Sequence, residues 1–152
     1  MTSETCSLCT PQVLLQIGFA AMVAILFLQT SLDKIFDWKG NKEYLTKHFA
    51  KSPLKGSVPM LLPVITLVEL SAGVSSAVAL VVTLFGGPSC FGIAGMTLGM
   101  VALTMLFFGQ RMAKDYGGAA SLVPYFLMCA AGLYVFGVLC AEGSCGMGMM
   151  TP

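Results

Sequence analysis

The chain has 152 residues, 57% of them hydrophobic and 10% charged, with a net charge of +1 and a mean hydropathy of +0.86. Soluble domains carry roughly a quarter charged residues, so so much apolar surface cannot be wrapped around one aqueous core. The basic residues lie beside apolar runs and leave no solvated face for phosphates, which excludes nucleic acid as a partner.

Residues 1–11 hold Glu4 and no Lys or Arg, unlike the basic start of a secretory leader. A first span covers residues 11–36, with Pro11 suited to a first helical turn. It ends in Leu32-Asp33-Lys34-Ile35-Phe36-Asp37-Trp38, with Trp38 placed to anchor at the membrane interface. Positive charge follows this span, so the expectation is a retained first helix with its N-terminus outside. In the next segment, Asn41 to Lys51, Leu45, His48 and Phe49 stand at helical spacing against Lys42, Glu43, Thr46, Lys47 and Lys51. That pattern predicts a short amphipathic helix lying on the inner surface, stopped at Ser52-Pro53.

A second span covers residues 58–85, with Pro59 and Pro63 near its start. Gly86-Gly87-Pro88-Ser89 reads as a tight outer turn. A third covers residues 90–109 and ends in Gln110-Arg111-Met112-Ala113-Lys114-Asp115-Tyr116, Gly117-Gly118 reads as the inner turn, and a fourth span covers residues 120–140.

Every Lys and Arg falls in two stretches: Lys34, Lys39, Lys42, Lys47, Lys51 and Lys55, then Arg111 and Lys114. Loops rich in Lys and Arg stay cytoplasmic. The expectation is an all-α, multi-pass membrane protein: one domain over residues 1–152, a four-transmembrane-helix bundle with both termini periplasmic. Cys6, Cys9, Cys90, Cys140 and Cys145 then share the opposite, oxidising side.

Glu69 lies several turns into the second span. A charge at such depth costs on the order of 2.5–3.5 kcal/mol on insertion scales, so it should face the bundle interior and find a partner. Gly73 and Ser76 share its face and allow close helix approach. The candidate partners sit at the inner ends of the first and third spans: Asp33, Lys34, Arg111, Lys114 and Asp115, with Gln29, Gln110 and Tyr116 supplying hydrogen bonds. This set reads either as a lock between helices, with Lys34 and Lys114 reaching water, or as a polar pocket for a quinone-like headgroup, a lipid headgroup or a relayed proton.

Cys6 and Cys9 have the spacing of redox dithiols and of half a metal site. With Cys90, Cys140 and Cys145 on the same face, a disulfide clasp between the tails is the first reading and thiol exchange the second. Cys129, inside the fourth span, reads as a small buried hydrophobe. The tail adds Met147, so Cys6, Cys9, Cys145 and Met147 form a candidate soft-sulfur site for Cu(I). The one histidine, His48, rules out a transmembrane bis-His haem. No phosphate-binding loop or serine-hydrolase motif occurs, and four short helices leave little room for alternating access.

Three stretches resemble the DoxX family of small four-helix bacterial membrane proteins, in its Bacteroidota-type form. They are Phe27-Leu28-Gln29-Thr30-Ser31-Leu32-Asp33-Lys34-Ile35-Phe36, Leu67-Val68-Glu69-Leu70-Ser71-Ala72-Gly73, and Gly109-Gln110-Arg111-Met112-Ala113-Lys114-Asp115-Tyr116. The resemblance covers about residues 12–140. It implies a four-helix fold in the bacterial inner membrane and carries over to Lys34, Glu69 and Arg111. Named relatives serve as a subunit of a thiosulfate:quinone oxidoreductase or as membrane partners of redox and detoxification proteins. The implied role is an accessory subunit of a redox system with other membrane or redox subunits as partners; the cofactor stays open, quinone being the candidate. The cysteine pairs and the Met-rich tail are not part of the family pattern. The alternatives are a non-catalytic scaffold of a larger complex and a handler of thiols or copper on the outer face.

Overall fold

The computed structural model describes residues 10–54, 56–87 and 90–139. They form five helices and no strand: α1 (Pro11–Phe36), α2 (Trp38–His48), α3 (Val58–Leu84), α4 (Cys90–Met112) and α5 (Tyr116–Leu139). Four of these are long and apolar enough to cross a membrane. The shortest, α4, has 23 residues, which at 1.5 Å per residue gives about 34 Å against a hydrocarbon core of about 30 Å. The long helices run alternately up and down. α1 packs on α3, α3 on α4 and α4 on α5, and α5 returns to touch α1. Short α2 lies between α1 and α3, so every described Lys and Arg gathers at one end of the bundle.

Lipid tails are as apolar as leucine, so these helices associate through close packing rather than through escape from water. The interior shows it. Phe27, Met96 and Phe136 fill the space between faces lined by Ala20, Ala72, Ala79 and Ala102, all buried. A Cβ on Gly73 would stand 2.9 Å from the backbone nitrogen of Leu28, and one on Gly95 would stand 2.9 Å from that of Ser76. At these two positions only glycine lets α3 meet α1 and α4 meet α3 at such distances.

Most hydroxyls inside the bundle serve their own helix. Ser31 donates to the Phe27 carbonyl at 2.6 Å and Thr66 to Leu62 at 2.7 Å. Such local bonding satisfies the hydroxyl without a partner helix. The polar groups left to act between helices are therefore few.

Helix ends explain where the observed elements depart from the expected ones. Asp37 caps α2, its Oδ1 accepting from the Gly40 N–H at 3.1 Å. The amphipathic helix thus starts at Trp38, three residues before Asn41, and stops at His48. α3 closes with paired bonds from the Gly86 N–H to the Thr83 carbonyl and from the Gly87 N–H to Val82, with Gly86 left-handed at φ 69°. This is a Schellman ending. α4 closes in the same way, the Lys114 N–H donating to Arg111 and the Asp115 N–H to Gln110, but here the left-handed residue is Lys114 at φ 62°. The turn between α4 and α5 therefore lies at residues 113–115, not at Gly117-Gly118, and both glycines belong to the first turn of α5. α4 runs on through Gly109 to Met112, and α5 begins four residues before position 120.

Candidate functional site

Lys34 shares the inward face of α1 with Phe27 and Ser31, at seven and three residues before it, the spacing that keeps side chains on one helix stripe. Glu69 sits on the matching stripe of α3, among buried Leu62, Ile65, Ala72 and Ser76. The two meet: Lys34 Nζ donates to Glu69 Oε2 at 2.6 Å. Glu69 is 1% exposed and Lys34 17%. The ammonium also lies 3.4 Å from the Thr30 carbonyl. A buried pair of this kind sums to no net charge.

The other residues expected in one network are dispersed. Gln29 and Asp33 are exposed on the outer faces of α1, since residues five and one before Lys34 project away from its stripe. Arg111 is exposed and stacks its guanidinium over the Tyr116 ring, 4.7 Å from the centroid. Lys114 is exposed in its left-handed turn and makes no ion pair. Asp115 turns the other way. Its Oδ1 caps α5 by accepting from the Gly118 N–H at 2.9 Å, while its Oδ2 lies 3.8 Å from His48 Nε2. Gly118 permits this, because a Cβ there would stand 2.5 Å from that Oδ2 and 3.0 Å from Gln110 Cδ. Gln110 Oε1 is buried with no hydrogen-bond partner.

Lys34, His48, Gln110 and Asp115 line one cavity of about 180 Å³, enclosed by α1, α2, α3, α4 and the turn before α5. Its walls are apolar and partly aromatic, including Leu62, Ile65, Phe49, Phe108 and Met105. α2 makes one wall. Phe49, at its C-cap, is buried and faces Gly109, where a Cβ would stand 3.5 Å from Phe49 Cζ. Tyr44 stacks on His48 with ring centroids 5.6 Å apart, and Phe49 meets His48 edge-on at 5.3 Å. On the solvent side of α2, Lys47 donates to Glu43 at 2.8 Å and holds that carboxyl below its ordinary value. By sequence, His48 and Phe49 fall on the apolar face of a surface helix, not in the candidate site, and Tyr44 is not singled out. The signal was the spacing of Leu45, His48 and Phe49, which marks a buried face but not what it covers.

At the opposite end Cys90 is disulfide-bonded. Cys6, Cys9, Cys140, Cys145 and Met147 lie outside the described residues, and so does the copper site expected from them. Cys129 is a free, fully buried thiol against Gly99. Among the described residues no group of three or more His, Cys, Asp or Glu side chains is placed to hold a metal.

Comparison with models of protein families, with curated proteins and with solved structures finds no match for the chain. The likeness to DoxX proteins rests on the sequence stretches alone.

Proposed function

We propose that this chain is a DoxX-like accessory subunit of a membrane redox system, and that its cavity receives the headgroup of a lipid-soluble quinone. One observation carries the reading: an apolar, partly aromatic cavity has a neutralised ion pair, Lys34–Glu69, and a few further polar groups at one end. That is the composition of a small-molecule site, many apolar walls and a few polar groups that orient the ligand. At about 180 Å³ it is smaller than the roughly 300–1,000 Å³ of drug-sized sites. It has room for one substituted ring, with an isoprenoid tail left in the bilayer. Lys34 would hold a ring oxygen through an N–H not given to Glu69, and the aromatic wall would stack on the ring. The quinone, when bound, supplies the two-electron chemistry; the chain binds and orients it.

In this reading the lysine-rich end faces the cytoplasm of a bacterial inner membrane, a placement supported by the bias of Lys and Arg towards cytoplasmic loops, and both termini are periplasmic. The partners are the redox subunits that deliver or remove electrons.

The test is purification from native membranes in lipid nanodiscs, with co-purifying proteins identified and the quinone content measured against protein-free discs. Quinone above the lipid background is expected, reduced by Lys34→Met and by Ile65→Trp, which fills the cavity. If both variants keep the full quinone content, the pocket reading fails. If Lys34→Met disperses the complex while quinone content never exceeds background, the chain is a scaffold.

A further inference from the structure

The cavity holds a gap whose size carries chemical information. His48 Nε2 and Asp115 Oδ2 stand 3.8 Å apart, too far for a hydrogen bond, which needs about 2.7–3.2 Å. The distance does fit an oxygen set between them, about 2.8 Å from each, accepting from one and donating to the other. Both partners are fixed. Asp115 is held by its bond to the Gly118 N–H, and His48 is held between Tyr44 and Phe49. Asp115 Oδ2 has no hydrogen-bond donor of its own, and nearby Gln110 Oε1 is buried without a partner. Lys34, the one ammonium lining the cavity, gives two of its three N–H groups to Glu69 and the Thr30 carbonyl and keeps the third for the ligand. The gap between His48 and Asp115 therefore sets a ring N–H donor against a carboxylate acceptor.

We infer that His48 and Asp115 form a seat for a hydroxyl group, and that the cavity takes its ligand as a hydroxyl-bearing ring, a phenol or quinol, in preference to the carbonyl form. The inference rests on the reading of the cavity as a headgroup site and adds which redox form it holds. A ring hydroxyl accepts from His48 Nε2–H and donates to Asp115 Oδ2. A quinone carbonyl can accept but cannot donate, so it leaves the carboxylate oxygen facing a lone pair. An anionic headgroup fits worse still, since Lys34 and Glu69 cancel and Asp115 adds negative charge. A hydrogen bond to a charged acceptor corresponds to about tenfold to a hundredfold in affinity, and the quinol should be favoured by that factor.

The experiment uses the full chain in lipid nanodiscs and three probes: a decyl benzoquinol kept reduced under argon, its dimethyl ether, and the corresponding benzoquinone. Equilibrium binding is corrected for partition into protein-free discs. Parent protein should bind the quinol at least about tenfold tighter than the other two. Asp115→Asn is the informative variant. Its side-chain oxygen can still cap α5, because Asn is as good an N-cap as Asp, while the free carboxylate oxygen becomes an N–H donor. It should keep the fold, judged by circular dichroism and thermal unfolding, and lose the preference for quinol. His48→Phe should lower quinol affinity towards that of the ether.

Equal binding of all three probes to the parent overturns the hydroxyl seat and leaves the pocket standing. Persistence of the preference in folded Asp115→Asn or His48→Phe also overturns it, because the hydroxyl is then recognised elsewhere. Binding of none of the probes overturns the headgroup site itself, and the seat with it.

Discussion

Cutting the Lys34–Glu69 pair from either side should give unequal results. Lys34→Met leaves Glu69, 1% exposed, as an uncompensated buried carboxylate, a change that costs about 3 kcal/mol or more. Glu69→Met leaves Lys34, which is 17% exposed and sits two residues from the end of α1. Its four-carbon stem lets the ammonium reach the interface, so the loss is roughly 1–2 kcal/mol, that of one charged hydrogen bond. The double variant replaces both groups by apolar side chains and should fall within about 1 kcal/mol of the parent, because burying two charges costs nearly what their attraction returns. The cycle then gives a coupling of about 3–6 kcal/mol. Equilibrium unfolding in mixed micelles, followed by circular dichroism, measures all four proteins. If the double variant loses the sum of the single losses, or if Lys34→Met costs less than Glu69→Met, this account of the pair is wrong.

The helix ends and packing contacts supply further tests by thermal unfolding and labelling. Lys114→Gly should raise stability by about 1 kcal/mol, since Lys114 holds the left-handed position that glycine occupies at Gly86; a loss would show that the Lys114 side chain matters more than its backbone. Gly95→Val should lose at least 1–3 kcal/mol by forcing α4 from Ser76. Gly137→Val, placed in open space, should cost far less, and equal losses would refute the close-approach argument. Asp115→Ala should cost about 1 kcal/mol through loss of the α5 cap, and a loss no larger than that of Asp115→Asn would refute the cap. Peptide mapping after maleimide treatment should find Cys90 unlabelled until reductant is added and Cys129 unlabelled until the protein is unfolded. Labelling of Cys129 in the native protein would contradict its burial.

The four spans were readable because they are set by a property that needs no tertiary information, the length of apolar runs between clustered lysines. Glu69 was readable for a related reason: a carboxylate at that depth must be buried inward. Which cation meets it was not. Lys34, Arg111 and Lys114 all lie near the same bundle end, and only helix phase places Lys34, on the stripe of Phe27 and Ser31, against Glu69. The Gly117-Gly118 turn was misplaced because a glycine pair is a general turn signal, whereas here Gly118 makes room for the carboxylate of Asp115. Least readable was the meeting of His48 with Asp115. These residues lie on different connections, and they approach only because α2 folds back over the inner ends of α3 and α4.

The cavity also sets how its occupant must travel. Phe108 of α4 and Tyr44 of α2 line it while remaining 59% and 63% exposed, so the cavity opens beside large aromatic side chains of these two helices. If the cavity is the headgroup site proposed above, a molecule reaching Lys34 and Glu69 would arrive by two-dimensional diffusion within one leaflet, having already left water. Its occupancy is then governed by mole fraction among the lipids. Adding empty lipid at constant aqueous concentration would dilute the ligand and empty the site, although neither the protein nor the buffer had changed.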